Sequence, residues 1–144
     1  MNLLETVHAA WGFTGLVPRS IIDTNSFGNL LVEDNNGVIW RVCPEELSCE
    51  KVASSAHAVQ ELQRSAEFKR DWEMQPLVDE ATAALGAPSS GQCFCLKTPA
   101  ILGGKYECEN VGTISLLELI SFAGDLAVQI KDMPTGSKVH LTIN

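Results

Sequence analysis

The sequence lacks long apolar runs and carries little positive charge. No apolar run approaches the ~20 residues that a membrane-spanning helix requires, so we expect no membrane partner. Only 10 Lys and Arg residues stand against 18 Asp and Glu residues, which gives a net charge of −8. Such a surface repels the phosphate backbone, so we expect no nucleic acid as a partner.

The first residues, "MNLLETVHAAWGF", lack the basic region that begins a secretory signal, and Glu5 comes early in them. A signal peptide needs that basic region before its apolar stretch. We therefore expect the protein to be cytoplasmic.

The five cysteines do not have the spacing of metal or redox motifs. Five residues separate Cys43 from Cys49, and one separates Cys93 from Cys95. Structural zinc sites mostly space ligand pairs by two to four residues, and redox pairs by two. We predict small buried thiols, with no metal and no other cofactor. A thiol or metal enzyme built on Cys43, Cys93 and Cys95 is the remaining alternative.

Motifs for catalysis are also missing. The serines offer no Gly-x-Ser-x-Gly elbow. The run "LGGK" is not a phosphate loop, because Pro99 and Tyr106 stand where that motif needs Gly and Ser or Thr. The three histidines lie in different predicted elements: His8, His57 and His140. The sequence therefore predicts a protein that is not an enzyme.

The first third of the chain predicts a helix and then a hairpin. The helix runs from about Leu3 to Trp11, and a loop follows it through Pro18. The stretches "FGNLLVE" and "VIWRVC" flank Asp34–Gly37, whose residues tolerate a tight reversal. In the second stretch Arg41 lies on one face, and the other face is apolar. A third extended piece is predicted at residues 48–52, after a solvated turn at Glu45 and Glu46.

The middle of the chain is predicted to be helical. Ser54 or Ser55 can cap a helix that ends near Arg64. The stretch "SAEFKRDWEMQPLVDEATAALG" must kink or restart at Pro76. After Pro76 the predicted buried stripe consists of Leu77, Val78, Ala81 and Leu85.

The last third predicts strands around one helix. "GQCFCL" is apolar on both faces, which favours a covered central strand, and a second extended piece is predicted at about residues 106–111. Ser115 and Glu118 form a capping box that starts an amphipathic helix. "SKVHLTI" is a final predicted strand with His140 on its outer face. Together these elements predict an α+β fold over residues 1–144: one compact domain with helices packed on an antiparallel or mixed sheet.

The loop "KTPAILGGKYE" is the strongest candidate for a binding surface. Aromatic and basic side chains beside bare glycine backbone suit recognition of a partner. The alternative is a tight turn between strands, with the tryptophans in the core. The candidate partner- or ligand-binding residues are Lys97, Pro99, Gly103, Gly104, Lys105 and Tyr106, together with Trp40.

Three stretches carry a resemblance to a known family: "SFGNLLVEDNNGVIWRVCPEELSCEKVA", "EFKRDWEM" and "CLKTPAILGGKYECENVGTISLLELISFAGDLAVQIKDMPTGSKV". They resemble the C-terminal domain of the type VI secretion immunity protein that neutralises a DNase effector. The resemblance spans about residues 10–143.

The resemblance implies a cytoplasmic α+β domain that binds and blocks a cognate protein toxin. It transfers no catalytic residue to this chain. The alternative function is a regulatory domain that binds a small molecule or nucleotide through Gly103 and Gly104.

Overall fold

A computed structural model describes residues 1–132, which form five α-helices and six β-strands. The predicted final strand, "SKVHLTI" with His140, lies outside the described residues. None of the helices within residues 1–132 has the length and apolar character needed to cross a membrane. The helices are α1 Leu3–Trp11, α2 Ala56–Arg64, α3 Ala66–Glu73, α4 Gln75–Leu85 and α5 Leu116–Ile130. The strands are β1 Pro18–Thr24, β2 Leu30–Asp34, β3 Ile39–Cys43, β4 Ser48–Ala53, β5 Gln92–Leu96 and β6 Val111–Ser115.

Strands β1 to β4 form an antiparallel sheet in chain order. The predicted hairpin is confirmed as β2 and β3, with Val32 opposite Trp40. The Asp34 carboxylate fixes the turn by accepting the N–H groups of Asn36 and Val38 at 2.8 and 2.9 Å. The predicted third extended piece is confirmed as β4.

Strand β1 was not predicted: it begins at the end of the predicted loop through Pro18 and continues over residues for which no element was predicted. The strand begins at Pro18 and pairs with β2 through a register that shifts twice. Its side chains do not alternate cleanly between buried and exposed. Without the two-residue period of a half-buried strand, the pattern that identifies strands is absent.

Each face of the four-stranded sheet packs on different helices. On one face, Val32, Trp40 and Val42 pack in a core that contains side chains of α1 and α5. On the other face, Leu31 and Ile39 pack with Val59 of α2 and Trp72 of α3. This arrangement confirms the α+β class, with helices packed on an antiparallel sheet.

The predicted helix starts and stops are confirmed. Ser55 caps α2 by accepting the N–H of Ala58 at 3.1 Å. Met74, at a φ of 48°, separates α3 from α4, and Pro76 lies in the first turn of α4. At α5, Ser115 accepts the N–H of Glu118.

The predicted burial of Leu85 is wrong, because its side chain is 51% exposed. Leu85 is the last residue of α4, whereas the cluster under this helix contains only Met74, Leu77, Val78 and Ala81 from the same region.

The second sheet differs from the prediction in two ways. Within residues 1–132, β5 pairs with β6 alone, whereas a central strand was predicted; on its other edge the N–H of Phe94 donates to the carbonyl of Ser26 at 2.9 Å. The strand predicted at residues 106–111 starts at Val111, because Cys108–Asn110 is a 3₁₀ turn.

Candidate functional site

An open polar groove of about 650 Å³ lies on the face of the four-stranded sheet that α2 and α3 cover only in part. Cross-strand pairing places Arg41 opposite Glu50 and Cys43 opposite Ser48, so these side chains share one face and form the floor. The walls come from α3 and the residue after it, from the Pro44–Glu46 turn and from the loop before β6. The wall residues are Glu45, Glu46, Arg70, Asp71, Met74 and Tyr106.

Arg41 is held rigidly at the edge of the groove. Its Nη1 lies 2.7 Å from Oδ2 of Asp71, and its Nε and Nη2 donate to Oδ1 of Asn29 at 3.1 and 2.9 Å. The guanidinium also lies 5.2 Å from the centroid of the Trp72 ring. Because the cation–π contact with Trp72 and the forked hydrogen bonds to Asn29 both restrain the guanidinium, Arg41 ties the sheet to α3.

Glu45 is buried, so the expectation of a solvated turn is wrong for this residue. It is 5% exposed, and Nδ2 of Asn29 donates to both of its carboxylate oxygens at 3.0 and 2.9 Å. Burial raises the pKa of the Glu45 carboxyl, and the Asn29 amide partly opposes that rise. Asn29 thus connects the buried Glu45 carboxylate to the guanidinium of Arg41.

Asn29 was not predicted as a site residue, although the sequence carries a signal for it. In the predicted hairpin, Asn29 and Leu31 lie on the same face as Arg41 and Cys43, because Leu30 pairs with Val42. Two polar residues on one face of an apolar hairpin need hydrogen-bond partners when they are buried. That requirement predicts a polar network at this position.

Tyr106 closes the other side of the groove. Its hydroxyl donates to Oε1 of Glu46 at 2.5 Å, and the side chain is 45% exposed. Partial burial and the neighbouring Glu46 carboxylate raise the pKa of the Tyr106 phenol. The contact links the loop before β6 to the Pro44–Glu46 turn.

An apolar cavity of about 240 Å³ lies on the opposite side of that turn. It exists because the face of β5 and β6 turned towards α5 carries mostly small side chains: Cys93, Cys95 and Gly112, with Ile114 the one large residue. These cannot fill the space up to Leu119 and Phe122 on α5. Glu45 lines both the cavity and the groove.

The loop at residues 97–110 is closed by one side chain. Asn110 accepts the N–H of Thr98 at 3.0 Å and donates to the carbonyls of Thr98 and Lys105, each at 3.0 Å. A Cβ atom on Gly104 would lie 1.8 Å from the Thr98 carbonyl oxygen, and Gly103 has a φ of 96°. The closure of the loop therefore accounts for both glycines.

The structure distributes the predicted site residues over several places. Lys97 and Pro99 line the apolar cavity, and Tyr106 lines the groove. Gly103, Gly104 and Lys105 border a separate shallow depression. Trp40 lies in the core, 7% exposed, with its indole N–H donating to Oδ2 of Asp34 at 2.9 Å, and so does not join the loop residues.

Four of the five thiols lie in surroundings that favour their neutral form. Burial raises the pKa of Cys93 to about 12 and that of Cys49 to about 11, and it also raises the pKa values of Cys43 and Cys95. Within residues 1–132, no three His, Cys, Asp or Glu side chains are grouped so that they could hold a metal ion. In these surroundings the cysteines pack as small apolar side chains.

Fold and site together place the chain among small α+β proteins that carry a polar groove beside an apolar cavity. Residues 54–127, about half of the chain, match the family described as T6SS immunity protein Tdi1, C-terminal. The chain belongs to this family, which confirms the resemblance found in the sequence. No curated protein matches the chain.

Proposed function

We propose that the protein binds and neutralises a secreted antibacterial toxin, such as a nuclease, in the cytoplasm of the cell that makes it, and that it catalyses no reaction. Its membership of a family of type VI secretion immunity proteins carries this proposal. An immunity protein acts by binding its toxin, so its functional residues are those of the contact surface.

The groove and the adjoining loop are the proposed contact surface. The charged residues that line the groove are four acids, Glu45, Glu46, Glu50 and Asp71, and two arginines, Arg41 and Arg70, so acids outnumber bases. Glu46 and Glu50 are not among the ion pairs formed within residues 1–132. With a net charge of −8, the protein would attract a basic partner such as a nuclease and speed the encounter. Tyr106, about half exposed beside these carboxylates, offers contact area at a small entropic cost.

The experiment is to express the effector encoded beside this gene, with and without the protein. We expect co-purification of the two proteins and survival of cells that otherwise die from the effector. An effector that neither binds the protein nor is neutralised by it would overturn the proposal.

A charge variant tests the proposed surface. Replacing Glu46 and Glu50 by Gln should slow association severalfold at low salt and flatten its dependence on ionic strength, because steering acts through unscreened charge. The control, Glu5→Gln with Glu80→Gln, removes the same charge from exposed positions on α1 and α4. Equal slowing by both double variants would show that net charge matters and that the groove does not.

A further inference from the structure

The apolar cavity beside the Pro44–Glu46 turn is a concave site that the core leaves open within residues 1–132. Its volume of about 240 Å³ is below the roughly 300–1,000 Å³ of pockets that take whole small-molecule ligands. A cavity of about 150 Å³ already holds a benzene ring. The size therefore suits one bulky apolar side chain.

The lining of the cavity also fits an apolar side chain. Its walls include Phe27, Ile114, Leu119 and Phe122, and Glu45 and Lys97 are the only charged residues among the described residues that line it. The stem of Lys97 crosses β6, with its Cε 3.6 Å from where a Cβ of Gly112 would lie. An apolar wall with few polar groups offers a ligand burial, not a network of hydrogen bonds.

The position of the cavity points to a protein as the occupant. It lies on the other side of the Pro44–Glu46 turn from the groove, and Glu45 lines both. The same loop contributes Pro99 to the cavity and Tyr106 to the groove. A partner segment that crosses the turn would meet an apolar hole and then the carboxylates Glu46 and Glu50.

We propose that the cavity receives one large apolar side chain of the bound toxin, carried on a basic segment whose Lys or Arg side chains lie in the adjoining groove. This inference rests on the proposed function, because it assigns the anchor of the same complex. Buried anchors in desolvated pockets dominate the affinity of protein interfaces. The charge of the groove supplies the complementary half of the match.

The test fills the cavity from inside. In Cys95→Phe the new ring occupies the space that the anchor needs, and Cys95→Met adds less volume to the same place. We expect Cys95→Phe to bind the neighbouring effector at least tenfold more weakly, and Cys95→Met to give an intermediate loss. The melting temperature of the free protein should stay the same or rise, because apolar filling of a cavity does not weaken a core. Val128→Phe, which adds the same ring at an exposed position on α5, should bind like the original protein.

The outcomes separate the two proposals. If the effector binds the original protein and Cys95→Phe equally well, the anchor is wrong and the immunity function stands. If the effector does not bind the original protein, the proposed function is wrong, and so is the proposal that the cavity receives a side chain of the effector. If Cys95→Phe lowers the melting temperature, the comparison rests on Cys95→Met, and full affinity in that variant overturns the anchor.

Indole serves as a probe of the cavity that needs no effector. In the full-length protein, it should give nuclear Overhauser contacts to the side chains of Ile114 and Phe122, and these should be lost in Cys95→Phe. Contacts from these side chains to residues 133–144 in place of indole would assign the cavity to the chain itself and overturn the proposal.

Discussion

The two sides of the Pro44–Glu46 turn share Glu45 but are built differently. On one side, small side chains on β5 and β6 face α5 and leave an apolar cavity of about 240 Å³. On the other side, α2 and α3 cover only part of a sheet face, and the uncovered part carries polar residues around a groove of about 650 Å³. A cavity of the first kind depends on the volumes of side chains, whereas a groove of the second kind depends on where helices end.

Between the two lies the polar network of Glu45, Asn29 and Arg41, and its loss should have the largest effect. Asn29→Ala removes the only side-chain amide that is bonded to the buried Glu45 carboxylate within residues 1–132, and it removes two hydrogen bonds of Arg41. Leaving a buried charge without its partner costs about 3 kcal/mol of unfolding free energy. Urea denaturation measures this loss. The control is Asn36→Ala, at an exposed position of a turn. A loss of unfolding free energy below about 1 kcal/mol in Asn29→Ala would show that this network does not stabilise the region around Glu45.

The loop at residues 97–110, which contributes residues to both the cavity and the groove, should be the element next most sensitive to substitution. Gly104→Ala places a Cβ atom against the Thr98 carbonyl, so the loop must move and the Asn110 hydrogen bonds must weaken. We expect a loss of about 2 kcal/mol in the unfolding free energy. Gly103→Ala has open space around it and should cost less, about 1 kcal/mol from its left-handed backbone alone. The reverse order of the two losses in urea denaturation would contradict the Asn110 closure of the loop.

Much of the fold could be predicted from the sequence, since its signals are local. The hairpin follows from the turn residues at Asp34–Gly37, and α5 from the Ser115 cap and a helical apolar period. β1 could not be predicted because irregular pairing removes its alternation.

The site was harder to predict, because its contacts are distant in sequence. The binding role of the loop at residues 97–107 stays a prediction, although the loop contributes residues to both the cavity and the groove. Tyr106 meets Glu46 across 60 residues and Arg41 meets Asp71 across 30. Burial of Glu45 depends on α5 and β5 closing around the turn, which no local pattern near "CPEE" indicates. Similarly, the core position of Trp40 follows from which sheet face α1 and α5 cover.

The protonation of Glu45, which lines both the cavity and the groove, should make the stability of the protein depend on pH. Because burial raises the pKa of this carboxyl above its usual value of 4.5, the folded state holds the proton more tightly than the unfolded state. The stabilisation is complete below about pH 4.5 and is lost as the pH rises through the folded pKa, by about 1.4 kcal/mol for each pH unit between the two pKa values. Relative to Glu45→Gln, the original protein should therefore lose stability as the pH rises from 4.5 to 7.5. Urea denaturation across that range measures the difference, with Glu80→Gln as the matched surface control. A difference that does not change with pH would mean that Glu45 titrates alike in both states.

The smallest effect concerns the groove alone and can be read without a partner. Tyr106 is the only tyrosine of the chain, so the absorbance of tyrosinate at alkaline pH reports this one phenol. Because burial and the Glu46 carboxylate disfavour the phenolate, the titration should lie above the ordinary pKa of 10 while the protein stays folded. Glu46→Gln should lower the apparent pKa of Tyr106 part of the way towards its ordinary value, since the substitution removes the charge but leaves the burial.

Neither Glu46→Gln nor Tyr106→Phe should change the unfolding free energy by more than about 1 kcal/mol, because a half-exposed hydrogen bond contributes little. A Tyr106 titration unaffected by Glu46→Gln would show that the loop and the turn do not meet in solution, and the groove would then lack its outer wall.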